Sequence, residues 1–453
     1  MNEKRIKILS QDKIELALFK LSMPAIIGML VNAIYNAVDT MFVGWIGTSQ
    51  VAAATVVFPL FMLISSIGLC FGVGAASYIS RLLGQDNYDE ANKTASTSLF
   101  SSFFVGVIFT ILISFNLEFV LKLFGATSPI MAYSVDYGSV IVLGSVLTMV
   151  NMTMNNTLRA EGSAKVPMIT MSSGAILNII LDPIFIFTLG LGIKGAAIAT
   201  VISQLLSTIL LLSYYLSEKS LIKLKLKYIS FSTKIYEEIL KIGIPTMLRQ
   251  VFSSISMALL NNIAIIYGSS ILAGVGIVNR VYSIGFFIIL GINQGFQPIA
   301  GFNYGSKNYK RLSESIKVAI KWSTIFSAIY GIILVIFSKQ IASIFLKDSQ
   351  AIIITSKGLV YYGIASPLAG FIVIISGIYQ ALGRGLEAAV LSTAKQGWAL
   401  IPWVFILPHL LDYKGVFLCQ PFADLTTALI TIFFAIKIRN MIQSNILEKQ
   451  TTA

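Results

Sequence analysis

Charge is scarce in this sequence. Asp, Glu, Lys and Arg make up only 12% of its 453 residues, against 56% hydrophobic, where an ordinary soluble domain carries roughly 25% charged residues. Few water-soluble folds could cover that much apolar surface. Cysteine is nearly absent: Cys70 and Cys419 both lie in apolar segments without a C-x-x-C spacing, which excludes a disulfide framework and leaves them as packing residues. The single histidine, His409, lies near an outer helix end and is expected to be interfacial rather than a proton relay. No G-x-x-x-x-G-K-[ST] loop occurs, which argues against ATP hydrolysis by this chain. The absence of a His/Cys/Asp cluster or a G-x-S-x-G elbow argues against a membrane enzyme, and the lack of a TVGYG-like filter against a potassium channel. No cofactor is expected.

Long apolar runs recur from end to end. Twelve segments are expected to cross a bilayer: 15–43, 52–80, 95–121, 129–157, 166–189, 194–216, 239–266, 273–301, 316–345, 352–381, 386–409 and 415–438. Each has the length of a transmembrane helix, and in lipid each must be helical because unpaired backbone amides are too costly there. The expected fold is an all-α integral membrane protein of twelve helices. The charged stretch from Asn2 to Lys13 leads straight into the first span, so no cleavable signal peptide is expected.

The net charge of +13 is explained by where it sits. Lys and Arg gather at the N-terminus (Lys4, Arg5, Lys7, Lys13), in the even-numbered loops (Lys223, Lys225, Lys227; Lys307, Lys310, Arg311) and at the C-terminus. By the positive-inside rule both termini face the cytoplasm, so the basic excess is a topology signal and nucleic acid is not an expected partner. The alternating Lys223-Leu-Lys-Leu-Lys227 run lies in the longest hydrophilic interruption, read as an interfacial connector, with a lipid-head-group site as the alternative.

The two halves repeat at one constant offset, the one that carries Lys20 onto Lys241. Pro24, Gly47, Ser49 and Ala52 then match Pro245, Gly268, Ser270 and Ala273; Gly84-x-x-Asn87-Tyr88 matches Gly305-x-x-Asn308-Tyr309; Ala160 and Gly162 match Ala381 and Gly383. The expected organisation is two pseudo-symmetric six-helix lobes: an N-lobe over 1–216 carrying a cation site, a cytoplasmic linker over 217–238 and a C-lobe over 239–453. Parallel repeats of this kind place substrate near the membrane midplane and work by alternating access.

Ionisable groups at bilayer depth are expensive and therefore functional candidates. Asp39 stands in Asn32-x-x-Tyr35-Asn36-x-x-Asp39, whose spacing puts all four side chains on one helical face, expected to look into an internal cavity. Asp182 stands in Asn178-Ile-Ile-Leu-Asp182-Pro183. Pro183 removes an amide and clashes with the Ile179 carbonyl, freeing carbonyls that would join Asn178 and Asp182 around a cation. The sixth span adds Thr200, Ser203, Gln204 and Ser207. The fourth holds Tyr133, Asp136 and Tyr137 near its outer end, where Asp136 is read as interfacial, and Thr148, Asn151 and Asn155 deeper. Two close carboxylates in low dielectric do not both ionise readily, so such a pair holds a proton or is neutralised by Na⁺. In the second half the ionisable residues are Arg249, Arg280, Lys395 and Asp424. The mate of Asp39 is Leu260 and that of Asp182 is Trp403, which confines the acidic site to the first half. Arg280 either pairs with Asp424 or lines the substrate path.

Taken together, Pro24 through Asn36-Ala-Val-Asp39-Thr-Met-Phe-Val-Gly44, Gly84-Gln-x-Asn87, Leu158-Arg-Ala-Glu-Gly162 and Asn178-x-x-x-Asp182-Pro183 resemble the multidrug and toxic compound extrusion (MATE) family over nearly the whole chain, in the branch of DinF-like and MepA-like exporters. The resemblance implies efflux of amphipathic, cationic drugs coupled to H⁺ or Na⁺ across the bacterial inner membrane. It places the cation ligands, including a possible Na⁺ site, on Asp39, Asn178, Asp182 and Thr200, with Tyr35 and Tyr137 beside them. Asn36, Asn155, Pro183, Gln204 and Arg280 are expected to support the site or line the substrate path. A monomer in the lipid bilayer is expected. The alternative is a flippase for lipid-linked saccharides, in which Arg249, Arg280 and Lys395 would meet phosphate.

Overall fold

The apolar runs fold as α-helices. The computed structural model describes residues 2–451, with Asn2 and Lys4 by backbone alone, and holds no strand among the described residues. The first half comprises α1 (Asn2–Ser10), α2 (Ile14–Ile46), α3 (Thr48–Gly84), α4 (Tyr88–Phe115), α5 (Leu117–Leu123), α6 (Ser128–Leu143), α7 (Ser145–Ala160), α8 (Lys165–Pro183) and α9 (Gly192–Leu216). The second comprises α10 (Thr233–Ile266), α11 (Ser269–Gly305), α12 (Tyr309–Ile336), α13 (Ser338–Phe345), α14 (Ser349–Ala381), α15 (Gly385–Ala394) and α16 (Leu400–Thr451).

The sequence repeat is also a repeat of helix ends. The offset that carries Lys20 onto Lys241 carries both ends of α3 and α4 onto those of α11 and α12, and the start of α6 and the end of α7 onto the two ends of α14. The turns agree in detail. Asp86 and its mate Lys307 both take a left-handed backbone, φ 56° and 54°. The asparagine that follows each caps the next helix: Asn87 accepts from the Glu90 amide and Asn308 from the Arg311 amide, both at 3.2 Å.

Nine single helices among the described residues are long and apolar enough to cross a membrane, and α6 with α7, bent by 46°, makes a tenth. The other two crossings are less regular. Helix α10 carries Arg249, Gln250, Asn261 and Asn262, which dilute its hydropathy. Helix α16 is continuous only through a break at Asp412, φ 51° and ψ −142°, which separates the eleventh span from the twelfth. The eleventh is interrupted again between α15 and α16. The chain is a multi-pass membrane protein of twelve spans.

Packing groups the chain into two compact units that do not follow chain order: Met1–Gln11 with Ile27–Gly243, and Asp12–Ile26 with Ile244–Ala453. The start of α2 thus belongs to the second unit, and the linker with the start of α10 to the first. Close backbone approach holds each visiting segment. In the first unit a Cβ on Gly74 of α3 would lie 2.1 Å from the Ile239 carbonyl oxygen, and one on Gly243 2.3 Å from the Cys70 oxygen. In the second a Cβ on Gly295 would lie 2.5 Å from the Ser22 nitrogen, and one on Gly291 2.8 Å from the Ile26 Cα. Gly295 is the mate of Gly74 and Gly291 of Cys70, so the same stretch of helix receives the visitor in both units, with the visiting segment displaced by one helical turn between them. Small residues that bring helix backbones together are the usual means of association in lipid, where burial alone gives little.

The linker lies along the first unit as a strap. The amides of Lys223 and Lys225 donate to Asn92 Oδ1 (2.7 Å) and Ser96 Oγ (3.3 Å) of α4. Alternate linker residues thereby meet side chains one helical turn apart, and the Lys223 and Lys225 side chains stay exposed. The strap is anchored on Glu161, which accepts from Arg5 Nη1 (2.5 Å), Ser220 Oγ (2.7 Å) and the amides of Leu221 (2.7 Å) and Ile222 (3.1 Å).

Candidate cation site

In the first unit the end of α8 brings acid to the interior. Asp182 is fully buried and Asn178, one turn earlier, is 1% exposed. Pro183 ends α8, and the chain continues as a single π-helical turn, Ile184–Thr188, before Gly192 opens α9. Thr200 of α9 is buried and accepts from the Asn178 amide, Nδ2 to Oγ1 3.3 Å. From α2, Tyr35 and Asp39 reach the same place: Tyr35 lies beside Thr200, and both Tyr35 and Tyr137 of α6 lie within electrostatic range of Asp39 and Asp182. The two acids also sense each other. The predicted set Asp39, Asn178, Asp182, Thr200, Tyr35 and Tyr137 therefore converges within one unit, with Pro183 at its edge.

The cluster is rich in acceptors and short of donors. Asp39 Oδ1, both oxygens of Asp182, Asn178 Oδ1 and Ser203 Oγ are buried without a hydrogen-bond partner. Buried polar atoms are almost always paired, and an unsatisfied one costs about 1–3 kcal/mol, more when charged. A bare cation surrounded by oxygens, or a proton on a carboxyl group, would satisfy them; an anion would not. The donor set, two carboxylates, an amide carbonyl and a hydroxyl, suits a hard cation.

The remaining candidates are placed elsewhere. The polar stripe on α2 divides: Tyr35 and Asp39 face the cluster, while Asn32 and Asn36 are exposed, and Asn36 Nδ2 donates to the Asn32 carbonyl at 2.8 Å. At about 100° per residue, positions 35 and 39 occupy one edge of the stripe and 32 and 36 the other. Two of the four side chains, Tyr35 and Asp39, thus reach the buried cluster, while Asn32 and Asn36 keep contact with solvent. Asn155 and Gln204 belong to a hydrogen-bonded seam of α7, α8 and α9. There Asn151 Nδ2 donates to the Gln204 carbonyl (2.9 Å), Thr208 to Asn151 Oδ1 (3.0 Å), Thr148 to Gln204 Oε1 (2.5 Å) and Thr170 to Asn155 Oδ1 (3.5 Å). Asp136 is exposed.

The pairing of Arg280 with Asp424 is also corrected. Arg280 is exposed on α11, and the partner of Asp424 is Lys395, 3.2 Å away, both side chains almost wholly buried. Lys395 lies in the interruption between α15 and α16, where helix periodicity gives no direction, so sequence alone offered no means of joining the two.

The sequence matches the MatE family model over residues 24–184 and 245–402. It is 28% identical to the multidrug export protein MepA of Staphylococcus haemolyticus, over 97% of each chain. Among solved structures it is similar to MATE in complex with MaL6, with TM-score 0.92, 28% identity and coverage of 97% of this chain and 99% of that one. It is also similar to a MOP superfamily transporter from Pyrococcus furiosus, described as having a binding pocket of reverse polarity, with TM-score 0.90, 28% identity and 98% of each chain covered.

Proposed function

This chain belongs to the MatE family, and on that premise we propose that it is an H⁺- or Na⁺-coupled antiporter that exports amphipathic, cationic drugs across the bacterial inner membrane. The observation that carries the coupling is the group of buried, unpartnered oxygens on Asp39, Asn178 and Asp182. A cation entering removes their desolvation cost and favours the arrangement of α2, α8 and α9 that surrounds it; its departure favours another. Such differential binding is what lets a ligand bias a conformational equilibrium and is the thermodynamic core of alternating access. The family's named multidrug exporters support drugs as cargo. The placement of Lys and Arg supports cytoplasmic termini, and the proposed cation ligands all come from one chain, which suits a monomer.

The test is ethidium export in proteoliposomes under a pH or a Na⁺ gradient, imposed one at a time. Asp39→Asn and Asp182→Asn are expected to abolish gradient-driven export while leaving the protein folded, because an amide keeps the size but cannot take a proton or balance a cation. Unchanged export in both variants refutes the coupling assignment. A lipid-linked saccharide flippase is the second reading, favoured by Arg249, whose Nε is buried without a partner in the second unit. Absence of drug export beside an envelope defect on deletion would select it.

A further inference from the structure

The second unit holds a carboxylate where the repeat places the wall of the first unit's cation cluster. At the offset that pairs the halves, Asp424 is the mate of Ser203 and Lys395 the mate of Gly174. In the first unit these positions adjoin: a Cβ on Gly174 would lie 3.1 Å from the Ser203 carbonyl oxygen. In the second they adjoin again, as Lys395 Nζ to Asp424 Oδ1 at 3.2 Å. The corresponding positions are therefore neighbours in both halves, through the backbone of glycine and serine in one and through the side chains of lysine and aspartate in the other.

What surrounds the lysine is the equipment of a cation receptor. Its ammonium has three acceptors, Asp424 Oδ1 (3.2 Å), Asp424 Oδ2 (3.3 Å) and Tyr282 Oη (3.3 Å). It stands over two aromatic rings, 4.7 Å from the centroid of Phe286 and 5.4 Å from that of Tyr282. Gln420 Nε2 donates to Asp424 Oδ1 at 2.9 Å and fixes the carboxylate. Tyr362 packs edge-on against Tyr282, centroids 5.2 Å apart. A carboxylate combined with aromatic ring faces is how proteins hold alkylammonium groups. Here Asp424 is 1% and Lys395 5% exposed, and the group is delivered by a side chain that leaves the backbone where the eleventh span is interrupted.

We propose that Asp424, Tyr282 and Phe286 form a second monovalent-cation site, the counterpart in the second unit of the Asp39–Asp182 site, and that Lys395 is its permanently tethered occupant. The inference rests on the cation reading of the first unit. The two halves then share one architecture with different occupants: an exchangeable ion in the first and a covalently attached ammonium in the second. Because the tethered charge cannot leave, the second unit contributes no ion to the transport cycle.

Removing the lysine opens the site. In Lys395→Ala an exogenous ethylammonium ion, which reproduces the end of the lost side chain, is expected to raise the melting temperature saturably. NaCl at the same ionic strength gives the smaller response, since Na⁺ gains less from the ring faces. Wild type, whose site is filled, and Lys395→Ala/Asp424→Asn, which lacks the carboxylate, are expected not to respond to ethylammonium beyond the ionic-strength control. The readout is stability, so it is independent of drug export, and in an Asp39→Asn background it is expected to be the same. Failure of the coupling reading and failure of this one are thereby told apart. A Lys395→Ala variant that ignores ethylammonium, one that responds equally when Asp424 is also replaced, or one that cannot be purified folded even in ethylammonium overturns the proposal.

Discussion

Replacing Gly74 or Gly295 with alanine tests whether the helix crossing inside each unit is as tight as its backbones suggest. At Gly74 the new methyl group would stand 2.1 Å from the Ile239 carbonyl oxygen, far inside the 3.4 Å at which ordinary contact begins. At Gly295 it would meet the Ser22 nitrogen at 2.5 Å and the Ser22 Cα at 2.7 Å. In both cases main chain is the obstacle, and main chain cannot rotate aside, so one helix must move bodily. Overpacking of this kind costs typically about 1–3 kcal/mol. With no rotamer to relieve the clash the upper figure applies, about 3 kcal/mol, or roughly two decades in the folded-to-unfolded ratio. The controls are Gly44→Ala and Gly276→Ala, which lie in helices with nothing within 4 Å of the added carbon. There alanine is the better helix former by up to ~1 kcal/mol, so they are expected to be neutral or stabilised. Unfolding in SDS titrations, followed by tryptophan fluorescence in mixed micelles, reads all four. If Gly74→Ala and Gly295→Ala unfold at the same SDS fraction as the controls, the crossings are not close contacts and the argument from the backbone fails.

Two further outcomes follow from the loops. Asn87→Ala and Asn308→Ala each remove an N-cap bond and are expected to cost about 1 kcal/mol, with serine at either position recovering most of it; equal losses at the two sites would report the repeat directly in SDS unfolding. Burial pushes the Glu161 carboxyl up to about 7 against the lowering effect of Arg5, Ser220 and the Ile222 and Leu221 amides. The folded chain therefore holds this proton more tightly than the unfolded one, and the group's contribution to stability falls as pH rises from about 4.5 to about 7 and is level above. Replacing Arg5 with Met removes an opposing cation and moves the midpoint higher. Infrared difference spectra of the protonated carboxyl stretch, assigned by its loss in Glu161→Gln, measure the shift, and a midpoint that falls instead contradicts the assignment.

Much of this architecture was legible because the residues that end helices are also the ones that repeat. Gly84-x-x-Asn87 and Gly305-x-x-Asn308 marked the repeat at one interval, and lipid left each run no choice but a helix. Asp39, Asn178 and Asp182 stood out because a polar group at bilayer depth has to be justified by a partner. What periodicity cannot supply is the identity of the neighbour. It placed Asn36 and Asp39 on one face but not the line between buried and solvent-accessible that runs through that face. It gave no partner for Lys395, which sits where the helix is interrupted, and no hint that α2 and α10 change units partway. Glycines such as Gly74 and Gly295 carried the last signal, as repeat mates, yet a glycine in a membrane helix has many uses and does not name the backbone it will touch.

The exchange of helix starts means that covalent halves and packed halves are different objects. A chain severed in the linker, between Leu216 and Thr233, would yield two six-helix polypeptides, each holding a segment that belongs in the other's interior. The upstream fragment would keep Asp12–Ile26 without the glycines of α11 to receive it, and the downstream fragment would keep the start of α10 without Gly74. Neither would be a finished lobe. Each fragment would be completed only by the helix start that the other carries.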